Sequence, residues 1–451
     1  MPDLDAIFKA YDIRGTTPDQ LDASVARAVG EGFAVFVAGE GGGATRVLVG
    51  RDMRPTGVEL AAAFADGVRS QGLDVVDLGL ASTDLVYFAA GHLDAPAAIF
   101  TASHNPAQYN GMKLCLSGAR PVGEDSGLRA LKRMAAEGVP AHDGPPGGFE
   151  SLDLLGAFAA HVRSFVDESA LRPTKVVADT ANGMGGLVVP AVFEGLPVDL
   201  ELLYAELDGT FPNHPADPIQ AENLRDLQAR VLEVGADVGL AFDGDADRVF
   251  LVDELGQPLS GSTTTAIVAV GVLEKHPGAT ILHNCICSKA VPEVVREHGG
   301  TPVRTKVGHS FIKAVMADTG AAFGGEHSAH YYFRDNYRAD SGSIAALLVL
   351  EQLGKSGLPL SELRKPFDRY AASGELNRTA ADPAAVIDRV AAAFPPDGHD
   401  RLDGLTVDLG DWWFNLRASN TEPLLRLNLE ASDAAMCAAK VAEVQALIDA
   451  D

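Results

Sequence analysis

The chain has 451 residues, with 36 Lys and Arg against 62 Asp and Glu, a formal charge of −26 at pH 7. That length implies roughly three or four domains, or two large ones, and a core large enough to need no disulfides. Hydrophobic residues at 47% and charged residues at 22% exclude a disordered chain. The acid excess excludes a general nucleic-acid binder and, taken alone, argues against phosphorylated partners as well.

The start, Met1-Pro2-Asp3-Leu4-Asp5, carries acid where a secretory leader would carry Lys or Arg. Strand-like runs follow at Arg46–Gly50, Val75–Leu78, Ala97–Thr101, Lys175–Asp179, Val238–Phe242, Thr280–His283 and Ala321–Phe323. Helical patterns such as Val58–Gln71 and Ala221–Val234 lie between them. Strand, helix, strand in repetition predicts βαβ units and a mostly parallel sheet. The uncharged run Leu255–Leu273 is nominally long enough to span a bilayer. Its Gln, Pro, Ser and Thr residues instead predict a loop leading into a helix. Two adjacent strands, Trp413–Ala418 and Leu424–Glu430, and a helix over Asp433–Ile448 predict a small α+β domain at the end. Pro/Gly-rich linkers at 138–148, 254–258 and 365–367 place the boundaries. The expected domains are therefore 1–149, 150–255 and 256–367, all α/β, and 368–451, α+β. Cys115, Cys285, Cys287 and Cys437 form no zinc signature and are expected to be reduced thiols in a core. The expected product is a soluble cytoplasmic protein with no membrane or nucleic-acid partner.

Chemistry concentrates where the chain leaves strands. Thr101-Ala102-Ser103-His104-Asn105-Pro106 sets a hydroxyl beside His on a turn, a potential nucleophile or an ordinary polar turn. Asp243-Gly244-Asp245-Ala246-Asp247-Arg248 packs three carboxylates into five residues. At about 4 Å each pair repels by about 4 kcal/mol at an effective dielectric of 20, and a hard divalent cation, Mg²⁺ or Ca²⁺, turns that cost into binding. An EF-hand is excluded, because Arg248 stands where that loop needs Gly. Arg248 also implies an anion beside the metal. In Gly325-Glu326-His327-Ser328-Ala329-His330, the alternating Glu326, Ser328 and His330 would share one side of an extended segment and suit vicinal sugar hydroxyls. Arg417-Ala418-Ser419-Asn420-Thr421 offers guanidinium, hydroxyl and amide donors for a phosphate.

Together these loops, with the opening Phe8-Lys9-Ala10-Tyr11-Asp12-Ile13-Arg14-Gly15, resemble the α-D-phosphohexomutase family, specifically its bacterial phosphomannomutase/phosphoglucomutase branch. The resemblance implies three related α/β domains and a smaller fourth around a cleft. It implies interconversion of hexose 1-phosphate and hexose 6-phosphate through a phosphoserine and a hexose 1,6-bisphosphate. In that scheme Ser103 carries the phosphoryl group. Asp243, Asp245 and Asp247, with a Ser103 phosphoryl oxygen, bind Mg²⁺. Glu326, Ser328 and His330 hold sugar hydroxyls, while Arg417, Ser419, Asn420 and Thr421 grip the non-reacting phosphate. Tyr11, Arg14, Arg248 and Lys289 line the reacting region, and Lys113 or His309 is the general base. The third motif departs from the family's commoner Gly-Glu-Met-Ser-Gly-His at His327 and Ala329, a change that bears on sugar preference. Small sugar phosphates are the implied partners, and the implied assembly is a monomer or homodimer.

Overall fold

A computed structural model describes residues 3–39, 43–418 and 424–450. The chain divides into two compact units, Met1–Leu259 with Ala329–Leu363, and Ser260–Ser328 with Arg364–Asp451.

The first unit holds two sheets. In the larger, the strand order is Ile13–Thr16, Tyr109–Leu116, Ala97–Phe100, Arg46–Arg51, Asp74–Leu80, Phe149–Ser151, with Arg120–Pro121 beside Tyr109–Leu116. Arg46–Arg51 pairs in parallel with both Asp74–Leu80 and Ala97–Phe100, whereas Ala97–Phe100 and Tyr109–Leu116 are antiparallel. Every residue of Ala97–Phe100 is buried, as expected of a central strand covered on both faces. Phe33, Phe64 and Phe100 join two helices to this sheet, with ring centroids 6.0 and 5.5 Å apart. Those helices, Ala23–Ala38 and Thr56–Ser70, lie against each other on two glycines. A Cβ on Gly30 would sit 2.3 Å from the Phe64 carbonyl oxygen, and one on Gly67 2.3 Å from that of Arg27. The second sheet runs Val249–Asp253, Val238–Phe242, Thr174–Asp179, Val198–Leu203. Thr174–Asp179 pairs in parallel with both Val238–Phe242 and Val198–Leu203, and Val238–Phe242 with Val249–Asp253 is an antiparallel hairpin.

The second unit contains the parallel strands Thr301–Thr305, Thr280–Asn284 and Phe323–Gly325. The long uncharged run resolves into a loop and the helix Gly261–Lys275, capped by Ser260 and buried from Gly261 to Leu273. Burial around its whole circumference explains the lack of charge. Among the described residues, no helix is long and apolar enough to cross a membrane. The strand expected at Ala321–Phe323 starts two residues later and includes both glycines. A Cβ on Gly325 would meet the Thr265 hydroxyl at 2.3 Å, so this glycine lets the strand press against the helix. At the C-terminal end lies a five-stranded antiparallel sheet, ordered Ala371–Thr379, Leu424–Ala431, Trp412–Ala418, Leu405–Asp408, His399–Asp400. Its apolar face packs Phe414, Leu416 and Leu427 with Val390 and Val444 of the helices Pro383–Ala392 and Ala434–Ile448. The helix read as Ala221–Val234 is a 3₁₀ turn, Ala221–Leu224, followed by an α-helix, Arg225–Val234.

The glycine contact between the two helices has a measurable consequence. Gly67→Ala gains about 1 kcal/mol of helix propensity, but its methyl meets backbone that cannot yield, and overpacking costs about 1–3 kcal/mol. The expected outcome in calorimetry is a lower unfolding midpoint, not a higher one.

Candidate active site

The serine loop and the acidic loop of the first unit meet. Ala97–Phe100 delivers the chain to Ser103, whose φ of +50° lies in the left-handed region. That conformation strains a residue bearing a Cβ by about 1–3 kcal/mol. In return the Ser103 Oγ reaches Asp243, donating a 2.8 Å hydrogen bond to its Oδ2. The Thr101 hydroxyl accepts from the Ser103 amide at 2.9 Å. The acidic loop joins the hairpin strands Val238–Phe242 and Val249–Asp253. It approaches the serine so closely that a Cβ on Gly244 would lie 2.5 Å from the Ser103 carbonyl oxygen. Both loops connect antiparallel strands, whereas the sequence pattern suggested crossovers in a parallel sheet. The hairpin has a chemical use, because the return strand Tyr109–Leu116 carries Lys113 back beside the loop.

Asp243, Asp245 and Asp247 are each fully buried. One ligand oxygen from each lies within 4.8 Å of the others. Two cations offset them. The Lys113 ammonium donates to Asp245 Oδ2 and Asp247 Oδ2, both at 2.8 Å. Arg248 donates from Nε to Asp243 Oδ2 at 3.0 Å and pairs through Nη2 at 2.9 Å. Burial alone would lower the Lys113 pKa, but the two carboxylates hold it well above the usual lysine range. Lys113 is therefore held as a cation by the two carboxylates. Burial raises the pKa of Asp243 despite Arg248, whereas Lys113 outweighs burial at Asp245 and lowers it. One formal negative charge is left over, and the buried Asp245 Oδ1 has no hydrogen-bond donor. An all-oxygen, uncompensated donor set fits a hard divalent cation.

Around this core, Arg14 pairs with Asp12 and donates from Nη1 to Asn105 Oδ1 at 2.5 Å, bringing it to the serine loop. Tyr11 is half-buried nearby in the chain. Arg248 and His330 form an isolated antiparallel bridge, which sets the His330 ring 3.9 Å from Asp247 and 4.0 Å from Asp340.

In the second unit, Glu326 is buried, and its Oε1 accepts from Asn284 Nδ2 at 3.2 Å and from the Gly308 amide at 3.1 Å. Ser328 is half-buried. The segment is not extended as the alternation suggested: it turns at 327–328, and Ala329 has φ of +65°. Glu326, Ser328 and His330 therefore do not share a side by strand geometry. Lys289 is held by Asp408 Oδ1 at 2.6 Å and the Gly410 carbonyl at 3.0 Å. Arg417 is buried and donates to Glu375 at 3.4 Å. His309 opens the helix His309–Thr319, but its side chain lies outside the described residues, as do Ser419, Asn420 and Thr421.

Sequence reasoning missed four groups of the first unit. Thr83 donates to Asp245 Oδ2 at 2.6 Å. The His104 Nδ1 accepts from Arg248 at 2.6 Å and lies 3.3 Å from Ser103 Oγ, and burial, reinforced by Arg248, keeps this imidazole neutral. Arg54 lies beneath the serine loop. His214 anchors the loop over 208–217 to Asp179 through Nε2 at 2.9 Å, while its Nδ1 faces the Pro215 carbonyl at 2.8 Å. Two acceptors on one ring require the doubly protonated imidazolium. The Ser-His pairing in the first motif was a visible signal for His104, but the other three offered none.

Two predictions follow from these contacts. Gly244→Ala should leave the fold intact but part the two loops, lowering turnover on the order of 10²-fold at an unchanged circular-dichroism spectrum. At His214, burial lowers the pKa, but Asp179 outweighs it and raises the net value above 6.5. A raised folded pKa gives stabilisation that is complete below the unfolded value and lost as pH climbs through the folded one. Thermal midpoints of the parent should therefore exceed those of His214→Gln at roughly pH 6, with the gap closing by roughly pH 9.

Comparison with known proteins gives the family. Residues 5–138, 156–256 and 260–370 match the α/β/α domains I, II and III of phosphoglucomutase/phosphomannomutase, and residues 375–447 match its C-terminal domain. A phosphomannomutase of Salmonella montevideo is 41% identical over 454 residues, covering 98% of each chain. A Xanthomonas campestris protein named for phosphohexose mutases is 40% identical over 447 residues, again covering 98% of each. The crystal structure of a phosphoglucomutase/phosphomannomutase family protein from Burkholderia thailandensis superposes with a TM-score of 0.90 at 34% identity, covering 99% of this chain and 98% of that one. A four-domain match in order, near-complete coverage at about two residues in five, and a serine loop seated on an aspartate triad place this chain in the phosphoglucomutase/phosphomannomutase family of mutases.

Proposed function

We propose that the protein interconverts hexose 1-phosphate and hexose 6-phosphate, with mannose as the favoured sugar and glucose as the alternative, through phosphorylated Ser103 and a hexose 1,6-bisphosphate. The observation that carries this reading is the Ser103 Oγ seated 2.8 Å from Asp243 in a pocket already holding Lys113 and Arg248. A hydroxyl placed among fixed cations and ion-binding carboxylates suits phosphoryl transfer, in which catalysis is mostly positioning and charge stabilisation. Mannose is preferred because the Salmonella relative is named a phosphomannomutase.

Asp243, Asp245 and Asp247 would hold Mg²⁺, whose bound charge would offset that of the phosphoryl group. Lys113 and Arg248 keep the aspartates from repelling one another and present positive charge to equatorial phosphoryl oxygens. Arg14, tied to the serine loop through Asn105, supplies a third cation. For the sugar and the far phosphate, the assignment is Glu326, Ser328 and His330 for hydroxyls, and Arg417 with Ser419, Asn420 and Thr421 for the phosphate. Lys289 and Tyr11 are each assigned to substrate binding.

A coupled assay on mannose 1-phosphate and glucose 1-phosphate, with Mg²⁺ and catalytic glucose 1,6-bisphosphate, tests the reading. Ser103→Ala should lose turnover by about 10³-fold or more while remaining folded. Full activity in that variant would sink the phosphoserine. Chelation of divalent ions by EDTA should abolish turnover, and added Mg²⁺ should restore it. Release of free phosphate without isomerisation would instead make the protein a phosphatase.

A further inference from the structure

Arg54 is a charged side chain with no exposure at all, three residues beyond the strand Arg46–Arg51. A guanidinium has five N–H donors in a planar fork. Its Nε donates to Asp52 Oδ2 at 3.2 Å. Its Nη1 donates to the Pro106 carbonyl at 2.9 Å and the Tyr109 carbonyl at 3.0 Å. Its Nη2 donates to the Ser103 carbonyl at 2.8 Å and the Asn105 carbonyl at 2.6 Å. Every donor is used: three hold carbonyls of the loop that bears Ser103, and a fourth holds that of Tyr109, where the loop enters the return strand.

The surroundings fit the fork closely. The Phe211 ring lies 5.0 Å from the guanidinium carbon, and a Cβ on Gly209 would come within 2.6 Å of the Arg54 Cα. Burying an arginine costs several kcal/mol unless its hydrogen bonds are complete. An apolar residue could fill this space but could not hold carbonyls. The hold on the Ser103 carbonyl matters most, since the direction of that carbonyl fixes ψ of Ser103. The strained φ of +50° at the same residue persists only if the surrounding structure over-determines it.

We propose that Arg54 is a positioning residue for phosphoryl transfer. By gripping the Ser103 and Asn105 carbonyls from below, it fixes the left-handed backbone that carries Ser103 Oγ to Asp243. Its five donors are all engaged by protein acceptors, which leaves none for substrate or metal, and the proposal rests on the reading of Ser103 as the phosphoryl carrier. The step it serves is loading from a hexose bisphosphate. The Oγ–P bond forms, a sugar O–P bond breaks, and the freed sugar oxygen takes up the proton that Ser103 gives up.

The decisive variant is Arg54→Lys, which keeps the charge but replaces a planar fork with one ammonium that cannot span four carbonyls. It should be folded by circular dichroism and lose kcat by about 10²-fold, as expected for a displacement of roughly 1 Å, with KM changed by no more than about threefold. Intact-mass measurement of Ser103 loading by glucose 1,6-bisphosphate should show the same fall in rate. If Arg54→Lys does not fold, the pair Asp52→Asn with Arg54→Gln leaves no buried charge unpaired and carries the same readouts. In Arg54→Ala, low concentrations of free guanidinium should partly restore loading, whereas ethylammonium should not. Unchanged kcat in the folded variant, or a rise in KM alone, would overturn the proposal. Ser103→Ala run alongside separates the two readings: if it stays active the phosphoserine fails, and if it is dead while Arg54→Lys is fully active only Arg54 fails.

Discussion

Three buried carboxylates within five residues repel one another, and most of the site is arranged to offset that repulsion. Their ligand oxygens lie within 4.8 Å of each other with no exposure to water. In such surroundings each like-charge pair costs about 4 kcal/mol at an effective dielectric of 20. Lys113 bridges two of the aspartates, Arg248 covers the third, and Thr83 adds a second donor to the Asp245 Oδ2 that Lys113 contacts. The same cations are the groups a phosphoryl oxygen would meet. The arrangement that keeps the loop folded is thus the arrangement that makes it reactive, and neither role can be changed without the other.

Bringing a serine to such a loop imposes a second constraint, on backbone. Gly244 has to lack a side chain because the Ser103 carbonyl occupies its Cβ space. Ala246 and Ser103 both adopt positive φ, at +60° and +50°, although neither is glycine. These strains are local, and two of the donors that hold them come from elsewhere in the chain, Arg54 on the Ser103 carbonyl and Thr83 on Asp245, while the Arg248 amide closes the acidic turn itself on Asp243 Oδ1 at 3.2 Å. A rigid sheet with every residue of Ala97–Phe100 buried fixes where the serine loop begins.

The sequence made the chemistry of the site legible because that chemistry is local. Asp243, Asp245, Asp247 and Arg248 share one turn, and Ser103 stands at the end of a fully apolar run. Strand positions followed from the same apolar runs, with ends displaced by one or two residues. What stayed hidden depends on contacts between distant segments. Arg54 looks like an ordinary residue of a polar turn, and only the return of the chain at 103–109 reveals four of its five partners. His214 gains its charge from Asp179, on a strand of the neighbouring sheet region. At Glu326 to His330, period-two alternation suggested an extended segment, but the chain turns at that point, and a polar motif of six residues carries no signal that separates strand from turn. Asp340 and Asp84 are likewise tertiary discoveries. Burial pushes the Asp84 carboxyl up to about 7, while Ser82 and Ser341 donate to it.

The formal charge of −26 describes the whole chain and says little about this centre. At the triad, three carboxylates against Lys113 and Arg248 leave a local charge of about −1, which would repel a phosphate dianion. A divalent cation on the same oxygens reverses the sign to about +1. Phosphate affinity at the centre would then be conditional on the cation, whereas a net charge of −26 opposes extended polyanions with or without it. A small sugar phosphate presents one or two phosphates and can be bound by a few fixed cations, while a nucleic acid must lay many phosphates along the surface. In the proposed reading, the acid excess would disfavour the polymer without opposing a small phosphorylated substrate, because screening confines each exposed charge to about 8–10 Å in salt.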